Sequence, residues 1–511
     1  STFQTYLFMA IINSLLSWIL KKRAHQIELF KKYPLEVQQE WLSKLIDTAK
    51  NSEWGKRYDY ASIETAREYK QRVPLQDYES LKPYIERMMK GEQNVLWPSE
   101  IRWFAKSSGT TSDKSKFIPV SEEALEECHF KGGKDMLSVY YTNQPNSQMF
   151  AGKSLVLGGS HQVNPLNKES FYGDLSAVLT KNLPIWAEFH RTPSIDIALM
   201  DNWDEKIELM AQSTSQQNIT SISGVPTWTI VLAKRILEIT GKKNLLEVWP
   251  NLEVYFHGAV NFAPYREQFS RLIPDKNMYY LELYNASEGF FGIQDQTNIH
   301  EMLLMLDYGI YYEFLPIENI GEDNPKTLEL SEVELNKNYA LIISTNAGLW
   351  RYMIGDTIKF TNLHPFRIQI TGRTRHFINA FGEELIIENA EKALLVACKQ
   401  SNALVREYTA APIYFSEKHN GGHEWLIEFE KDPDNLEKFT IDLDIELKKL
   451  NSDYEAKRFK DMALAFPTLS KVPEGTFYNW LKSKGKLGGQ HKVPRLANDR
   501  KFLEEILEMI E

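Results

Sequence analysis

The chain has 511 residues, 43% hydrophobic and 25% charged, a composition that suits a globular protein with a large core and fits one large α/β domain with a smaller companion. Its 69 acidic and 59 basic residues give a formal charge of −10 without long acidic blocks, which argues against nucleic acid as a partner, since that demands a basic face. Cys128 and Cys398 stand far apart without C-x-x-C spacing, so neither a disulfide framework nor a zinc site is expected, and a reducing cytoplasm is the simplest home.

In chain order, Tyr6 to Leu20 is apolar but broken by Asn13, Ser14 and Ser17 and followed by Lys21, Lys22 and Arg23. It falls short of the roughly 18 apolar residues that argue for a membrane span. Phe8, Ile11, Ile12, Leu15, Leu16 and Ile19 recur at helical spacing, so a buried N-terminal helix is expected and no stable membrane association. Helices are predicted over Glu36 to Lys50 and Tyr78 to Lys90. From about 101 to 370 strand and helix patterns alternate: strands at Lys153 to Gly158, Leu252 to His257 and Tyr339 to Thr345, helices at Glu205 to Gln212 and Thr227 to Ile239. Alternation of this kind predicts an α/β architecture with ligands at strand ends. Beyond 383 the pattern predicts a small α+β unit: a helix at 386–399, strands near 408–415 and 424–430, a helix near 434–450, a strand near 461–466 and a terminal helix.

Phe104 to Ser121 reads FAKSSGTTSDKSKFIPVS, with hydroxyl residues and one Gly packed ahead of two lysines. This is phosphate-handling chemistry: backbone N–H groups can approach phosphate oxygens at Gly109, Ser107, Ser108, Thr110 and Thr111 add hydroxyl donors, and Lys114 or Lys116 adds charge. It is not a Walker A loop, which needs G-x-x-x-x-G-K-[ST]. Two further segments keep it company. Tyr284-Asn-Ala-Ser-Glu-Gly289 follows the aromatic run Met278 to Leu283, and Tyr352-Met-Ile-Gly-Asp356 closes a strand pattern.

In that order the three segments resemble the nucleotide motifs of adenylate-forming enzymes, and the chain is similar to the Gretchen Hagen family of acyl-acid amido synthetases along almost its whole length. The likeness extends through NSEWGKRYDY, VPLQDYESLKPYI, GEQNVLWP, SGVPTW, WPNL and GGQHKVPRL. One departure is Ser112-Asp113, where many relatives carry Gly soon after SSGT[ST]. The resemblance implies a large N-terminal ATP- and acyl-binding domain at 1–372, with β-sheets flanked by helices. A hinge at 373–382, in IQITGRTRHFINAF, and a small mobile α+β lid at 383–511 complete it. It implies an enzyme that joins a carboxylic acid to AMP, releasing pyrophosphate, and then passes the acyl group to an amino acid, with ATP and Mg²⁺ required and a monomer expected.

The roles that follow are implied in the same way. Ser107, Ser108, Gly109, Thr110 and Thr111 hold the β- and γ-phosphates, with Lys116 favoured over Lys114 as the cation because Lys114 sits nearer the tip. Ser287 serves the α-phosphate, and Glu288 offers the hard oxygen that Mg²⁺ prefers. Tyr284 stacks on adenine beside the loop His257-Gly258-Ala259-Val260, where Gly258 allows close approach. Asp356 accepts from ribose hydroxyls, Arg373 reaches the sugar or the phosphate, and Lys492 meets the α-phosphate during adenylation. An apolar acyl pocket is expected from Val225, Pro226 and Trp228 and from Val139, Tyr140 and Met149. An acyl–CoA ligase, an acyl-protein synthetase using Cys and a non-catalytic nucleotide-binding regulator are the rival readings. No dedicated basic cluster awaits a CoA tail, neither Cys has a persuasive His nearby, and a regulator could dispense with Glu288 and Lys492.

Overall fold

The computed structural model describes residues 18–108, 115–158, 163–183, 188, 190–200, 202–260, 262–374, 376–416, 419–484 and 493–510. Its spine is an eleven-stranded sheet. From one edge to the other the strands are Ile310–Pro316, Asn338–Thr345, Tyr352–Leu363, Phe366–Arg373, Met302–Leu304, Gly289–Ile293, Tyr279–Ala286, Val254–Gly258, Ile219–Ser223, Lys153–Val156 and Arg191–Thr192. The last five run parallel to one another. Every other pairing is antiparallel. Tyr279–Ala286 is therefore the seam, parallel to one neighbour and antiparallel to the other.

Strand–helix alternation holds only on the parallel side. Trp203–Thr214 and Pro226–Thr240 are its long helices, the second opened by Pro226 in the first turn and closed by Gly241 at φ 66, a left-handed stop that suits glycine. From Met302 to Arg373 the described elements are antiparallel strands and short 3₁₀ turns, with no α-helix. The expected alternation through 370 is corrected there: a short apolar run such as Asn338–Thr345 reads alike in parallel and antiparallel sheets, and only its connections distinguish them. Helices from the N-terminal hundred residues pack on this antiparallel half, with capping boxes at Thr65/Glu68 and Asp77/Ser80 fixing the starts of Ala66–Arg72 and Tyr78–Met89.

Residues 18–32 are helical, and Leu20, Ile27 and Phe30 of that helix are buried. Arg23 ties it down with two bonds to Asp135, at 2.6 and 2.9 Å, while Tyr308 donates to the same carboxylate at 2.6 Å. The expected apolar positions from Phe8 to Leu16 lie outside the described residues. No helix among the described residues is long and apolar enough to cross a membrane.

The free side of the edge strand Ile310–Pro316 is occupied. Gln38, buried on the helix Pro34–Ala49, donates to Ile310 O and accepts from Tyr312 N–H, each at 2.9 Å. Phe314 exchanges two backbone bonds with Leu328.

A four-stranded sheet lies apart from the spine, in the order Ser115–Val120, Trp103–Ser108, Phe171–Gly173, Asn164–Pro165. The C-terminal region forms a three-stranded sheet of Leu404–Ile413, Gly422–Lys431 and Thr468–Val472 with the helices Ile387–Gln400 and Leu436–Leu450 and the terminal helix Lys501–Ile510. The strand expected near 461–466 is corrected to Thr468–Val472. Its apolar residues are instead a plug: Ala463 and Leu464 are fully buried, and Arg458 holds Leu464 O at 2.9 Å after a turn with Lys460 and Asp461 in positive φ.

Gly372 and Arg373 continue the strand Phe366–Arg373, opposite Thr357 and Asp356. The chain then forms a small hairpin, Phe377–Ile378 with Leu385–Ile386. Its loop is pinned from both sides. Glu383, wholly buried, accepts from the N–H groups of Ala380 and Phe381 at 3.3 and 2.7 Å and lies 2.7 Å from His423 Nε2. From the other side Thr227 donates to Phe381 O at 3.2 Å and Tyr265 donates to Ala380 O. One continuous apolar core runs from the parallel half of the spine into the C-terminal sheet.

Candidate functional site

Strand direction decides where the site lies. The carboxyl ends of Val254–Gly258 and Tyr279–Ala286 open into a cleft of about 1620 Å³ that the small hairpin and the C-terminal region also line. Ser107, Lys116, Val225, Trp228, Gly258, Ala259, Tyr284, Ser287, Glu288, Asp356 and Arg373 all border it. Residues from five separate stretches of sequence thus meet in one space.

Ser287 and Glu288 form the two-residue turn between the seam strand and Gly289–Ile293, closed by the pairing of Ala286 with Gly289. A turn this short fixes its side chains to the strand ends. Ser107 and Lys116 are direct partners across the antiparallel hairpin of the small sheet, so their side chains share a face. Lys116 Nζ lies 3.5 Å from Glu288 Oε1, and Tyr352 donates to that same oxygen at 3.5 Å. Burial, reinforced by Glu288, pushes the Tyr352 hydroxyl far above its ordinary range and keeps it a donor. Ser107 Oγ is buried without a partner among the described residues. Gly109, Thr110, Thr111, Lys114 and Lys492 lie outside the described residues; Ser108 is described only in its backbone pairing with Ser115.

The second cluster sits around Asp356. Tyr284 donates to Asp356 Oδ2 at 2.6 Å and Arg373 Nε to Oδ1 at 3.0 Å, while Arg373 also lies 3.8 Å from Glu384. Burial works against the Arg373 charge, but Glu384 and Asp356 overcome it and hold the guanidinium firmly protonated. The Tyr284 hydroxyl is raised far above its usual range, first by burial and then by Asp356. Asp356 and Arg373 are direct cross-strand partners, which is why two residues on successive strands meet at hydrogen-bonding range.

Gly258 has a structural reason of its own: a Cβ there would come 2.6 Å from the backbone oxygen of Leu283 on the next strand. The following Ala259 is left-handed at φ 70, a conformation that costs a non-glycine residue about 1–3 kcal/mol. Val225 precedes the helix Pro226–Thr240, and Trp228 on that helix stacks face to face on Trp203 with ring centroids 3.7 Å apart. Tyr140 is placed elsewhere. It does not line the cleft itself but is buried in the core behind it, against Phe256 and Tyr279, and donates to Glu253 at 2.7 Å; Val139 and Met149 are buried in that core too.

Glu282 was not singled out by the sequence, although it stands in the cleft next to Tyr284's strand position. Its one signal is an acid inside the aromatic run Met278 to Leu283. Burial pushes its carboxyl up to about 7, against the pull of Arg266. His257, its cross-strand partner, stacks on Phe262 at 4.1 Å, and burial aided by Arg266 brings the imidazole down to about 3.

Glu288 Oε2 has no hydrogen bond among the described residues, and both contacts to Oε1 are long. No group of three or more His, Cys, Asp or Glu converges among the described residues, and Glu288 is the carboxylate beside Lys116 there. That suits Mg²⁺, which binds through one or two carboxylates and takes its remaining oxygens from substrate phosphates and water.

Residues 23–278 match the GH3 family N-terminal domain, 303–373 the GH3 family central domain and 388–501 the GH3 family C-terminal domain. Indole-3-acetic acid-amido synthetase GH3.4 of Arabidopsis thaliana is 25% identical over 562 residues, covering 92% of this chain and 91% of that protein. Jasmonoyl–L-amino acid synthetase JAR4 of Nicotiana attenuata is 22% identical, covering 92% of each. Among solved structures, AtGH3.15 acyl acid amido synthetase in complex with 2,4-DB superposes with a TM-score of 0.63 at 16% identity over 96% of both chains. A 2-hydroxyisobutyryl-CoA ligase in complex with 2-HIB-AMP and CoA gives 0.57 at 13% identity over 93% of this chain and 92% of that one. At these identities the structural likeness is one of fold.

Proposed function

The chain belongs to the GH3 family, and from that premise we propose that it is an ATP-dependent acyl-acid amido synthetase acting as a monomer in the cytoplasm. The observation that carries the reading is the convergence, at the carboxyl ends of the parallel strands, of the Lys116–Glu288 pair with the Tyr284–Asp356–Arg373 cluster. One gathers phosphate oxygens and the other holds a sugar.

A carboxylate resists amines because oxide is a poor leaving group, so it must first be joined to a better one. In the first half-reaction a carboxylate oxygen attacks the α-phosphorus of ATP, the bond to the bridging oxygen breaks and pyrophosphate leaves. In the second an amino group attacks the carbonyl carbon of the acyl-adenylate, AMP departs and the amine loses its proton. Both steps depend on positioning and charge stabilisation rather than on a covalent protein intermediate.

Lys116 Nζ, facing the cleft beside Glu288, would neutralise phosphate oxygens, and the unpartnered Ser107 hydroxyl would donate to them. Glu288 would hold Mg²⁺, which when bound supplies charge neutralisation to the triphosphate. Ser287 lies one residue before, at the same turn, in reach of the α-phosphate side. Asp356 keeps a lone pair on each oxygen after accepting from Tyr284 and Arg373, so it can still accept from two vicinal ribose hydroxyls. Tyr284 therefore orients Asp356 through its hydroxyl while its ring, with the Gly258–Ala259 turn, flanks the adenine. Lys492 would join the α-phosphate from the C-terminal side, as the resemblance implies.

Val225, Trp228 and Phe256 give the cleft an apolar wall, which supports an acid with a hydrophobic body, the class to which the indole and jasmonoyl substrates named for the relatives belong. An amino acid is the proposed acceptor. Acid-dependent exchange of labelled pyrophosphate into ATP tests the first half-reaction, and mass analysis of amides formed with pooled acids and amino acids tests the second. AMP must be the nucleotide product; stoichiometric ADP, or a requirement for CoA, defeats the reading.

A further inference from the structure

The left-handed turn at Ala259 is held by a side chain from the small hairpin. Asn379 Nδ2 donates to Ala259 O at 3.0 Å, and its Oδ1 accepts from Glu384 N–H at 3.3 Å. Asn379 is held in turn: its N–H donates to Asn498 Oδ1 at 2.7 Å, and Asn498 Nδ2 returns a bond to Phe377 O at 3.3 Å. Asn498 ends a segment fastened to the C-terminal sheet, where Ala410 N–H donates to Arg495 O at 2.8 Å and Ala497 N–H to Ala410 O at 3.1 Å. A short relay thus runs from the C-terminal sheet through two asparagines to a strained carbonyl in the cleft wall.

We propose that Asn379 and Asn498 are positioning residues that set the Ala259 turn from the C-terminal domain, so that nucleotide affinity depends on how that domain is docked. The proposal rests on the reading of the cleft as an ATP site. It goes further in naming two side chains, neither of them in the nucleotide motifs, and in assigning opposite chemical duties to two identical amides. Asn379 works as a donor to Ala259. Asn498 works as an acceptor for the Asn379 N–H. Because the two act in series, losing either releases the same turn.

The test is ATP affinity by calorimetry on the full chain, with pyrophosphate exchange alongside. Loss of one such bond weakens ATP binding about tenfold. Asn379→Ala and Asn498→Ala should each show this loss, and the double variant should be no worse than either, with the acid's KM in exchange unmoved. Asn498→Asp keeps the acceptor for the Asn379 N–H, though it gives up the bond to Phe377 O, and should retain more ATP affinity than Asn498→Ala, whereas Asn379→Asp keeps size and shape but loses the donor and should bind as poorly as Asn379→Ala. The two Asp variants add the same charge at neighbouring positions and control for it. Multiplicative losses in the double variant, equal behaviour of the two Asp variants, or a lowered melting temperature with ATP affinity intact would each overturn the proposal. A parent protein that binds ATP yet performs no exchange would sink the amido-synthetase reading and leave the relay measurable by calorimetry.

Discussion

Replacing Asp356 by Asn keeps the shape of the side chain and removes its charge and one acceptor oxygen. The carboxylate accepts from Tyr284 at 2.6 Å on one oxygen and from Arg373 at 3.0 Å on the other. An amide can satisfy one of these neighbours only by turning its NH₂ toward the other, which is itself a donor. The ribose hydroxyls then lose a charge-assisted partner, and hydrogen bonds to charged groups are worth about 1.5–3 kcal/mol, or about 10- to 100-fold in affinity. Arg373 stays paired with Glu384 at 3.8 Å, so the fold should survive the change. Pyrophosphate exchange as a function of ATP concentration is the assay: KM for ATP should rise by that factor while the rate at saturating ATP falls far less. An unchanged KM for ATP in a folded Asp356→Asn protein would refute the assignment of this cluster to the sugar.

Glu288→Gln removes the carboxylate ligand beside Lys116 and should cut the adenylation rate by about 100-fold or more, with a weakened Mg²⁺ dependence; a normal rate and normal Mg²⁺ titration would withdraw the metal role. Lys492→Ala should cripple acyl-adenylate formation yet still convert a presynthesised acyl-adenylate and an amino acid into amide, and equal loss in both steps would make Lys492 structural. Glu282 has a folded pKa raised from 4.5 to about 7, so the folded chain binds the extra proton and loses stability as pH rises through that window, by at most roughly 3 kcal/mol. Glu282→Gln should therefore match the parent near pH 4.5 and melt higher than it at pH 8; parallel melting curves across that range would show that the carboxyl is not desolvated.

What the sequence disclosed of this site was the chemistry that lies in short stretches. Ser287 and Glu288 form a turn, Tyr284 stands three residues before it on the same strand and Asp356 lies within the strand Tyr352–Leu363, each inside a motif of a few positions, and all four line one cleft. Contacts made by register between distant strands left little trace. That Lys116 would face Glu288 follows from how the small sheet is set against the spine, which spacing along the chain does not encode, whereas Asp356 and Arg373 meet by register within one hairpin. Glu282 was obscured by its aromatic neighbours, and Glu383 by looking like an ordinary surface acid when it is the buried anchor of a loop. Tyr140, expected in the acyl pocket, is a core aromatic one layer behind the cleft wall, since burial against Phe256 and Tyr279 suits an aromatic as well as a ligand would.

The occupied edge at Ile310–Pro316 bears on how this chain behaves in a crowded solution. An eleven-stranded sheet is a template on which a second copy could grow, strand upon strand, if either border offered free backbone groups. Here one border is a strand of two residues, Arg191–Thr192, too short to template much. At the other, Gln38 takes Ile310 O and the Tyr312 N–H, Leu328 takes both backbone groups of Phe314, and Pro316 has no N–H to give. Gln38 thus imitates with one amide the partner strand that must not arrive, and its replacement by Leu would leave Ile310 O and the Tyr312 N–H without that partner while Leu328 still held Phe314.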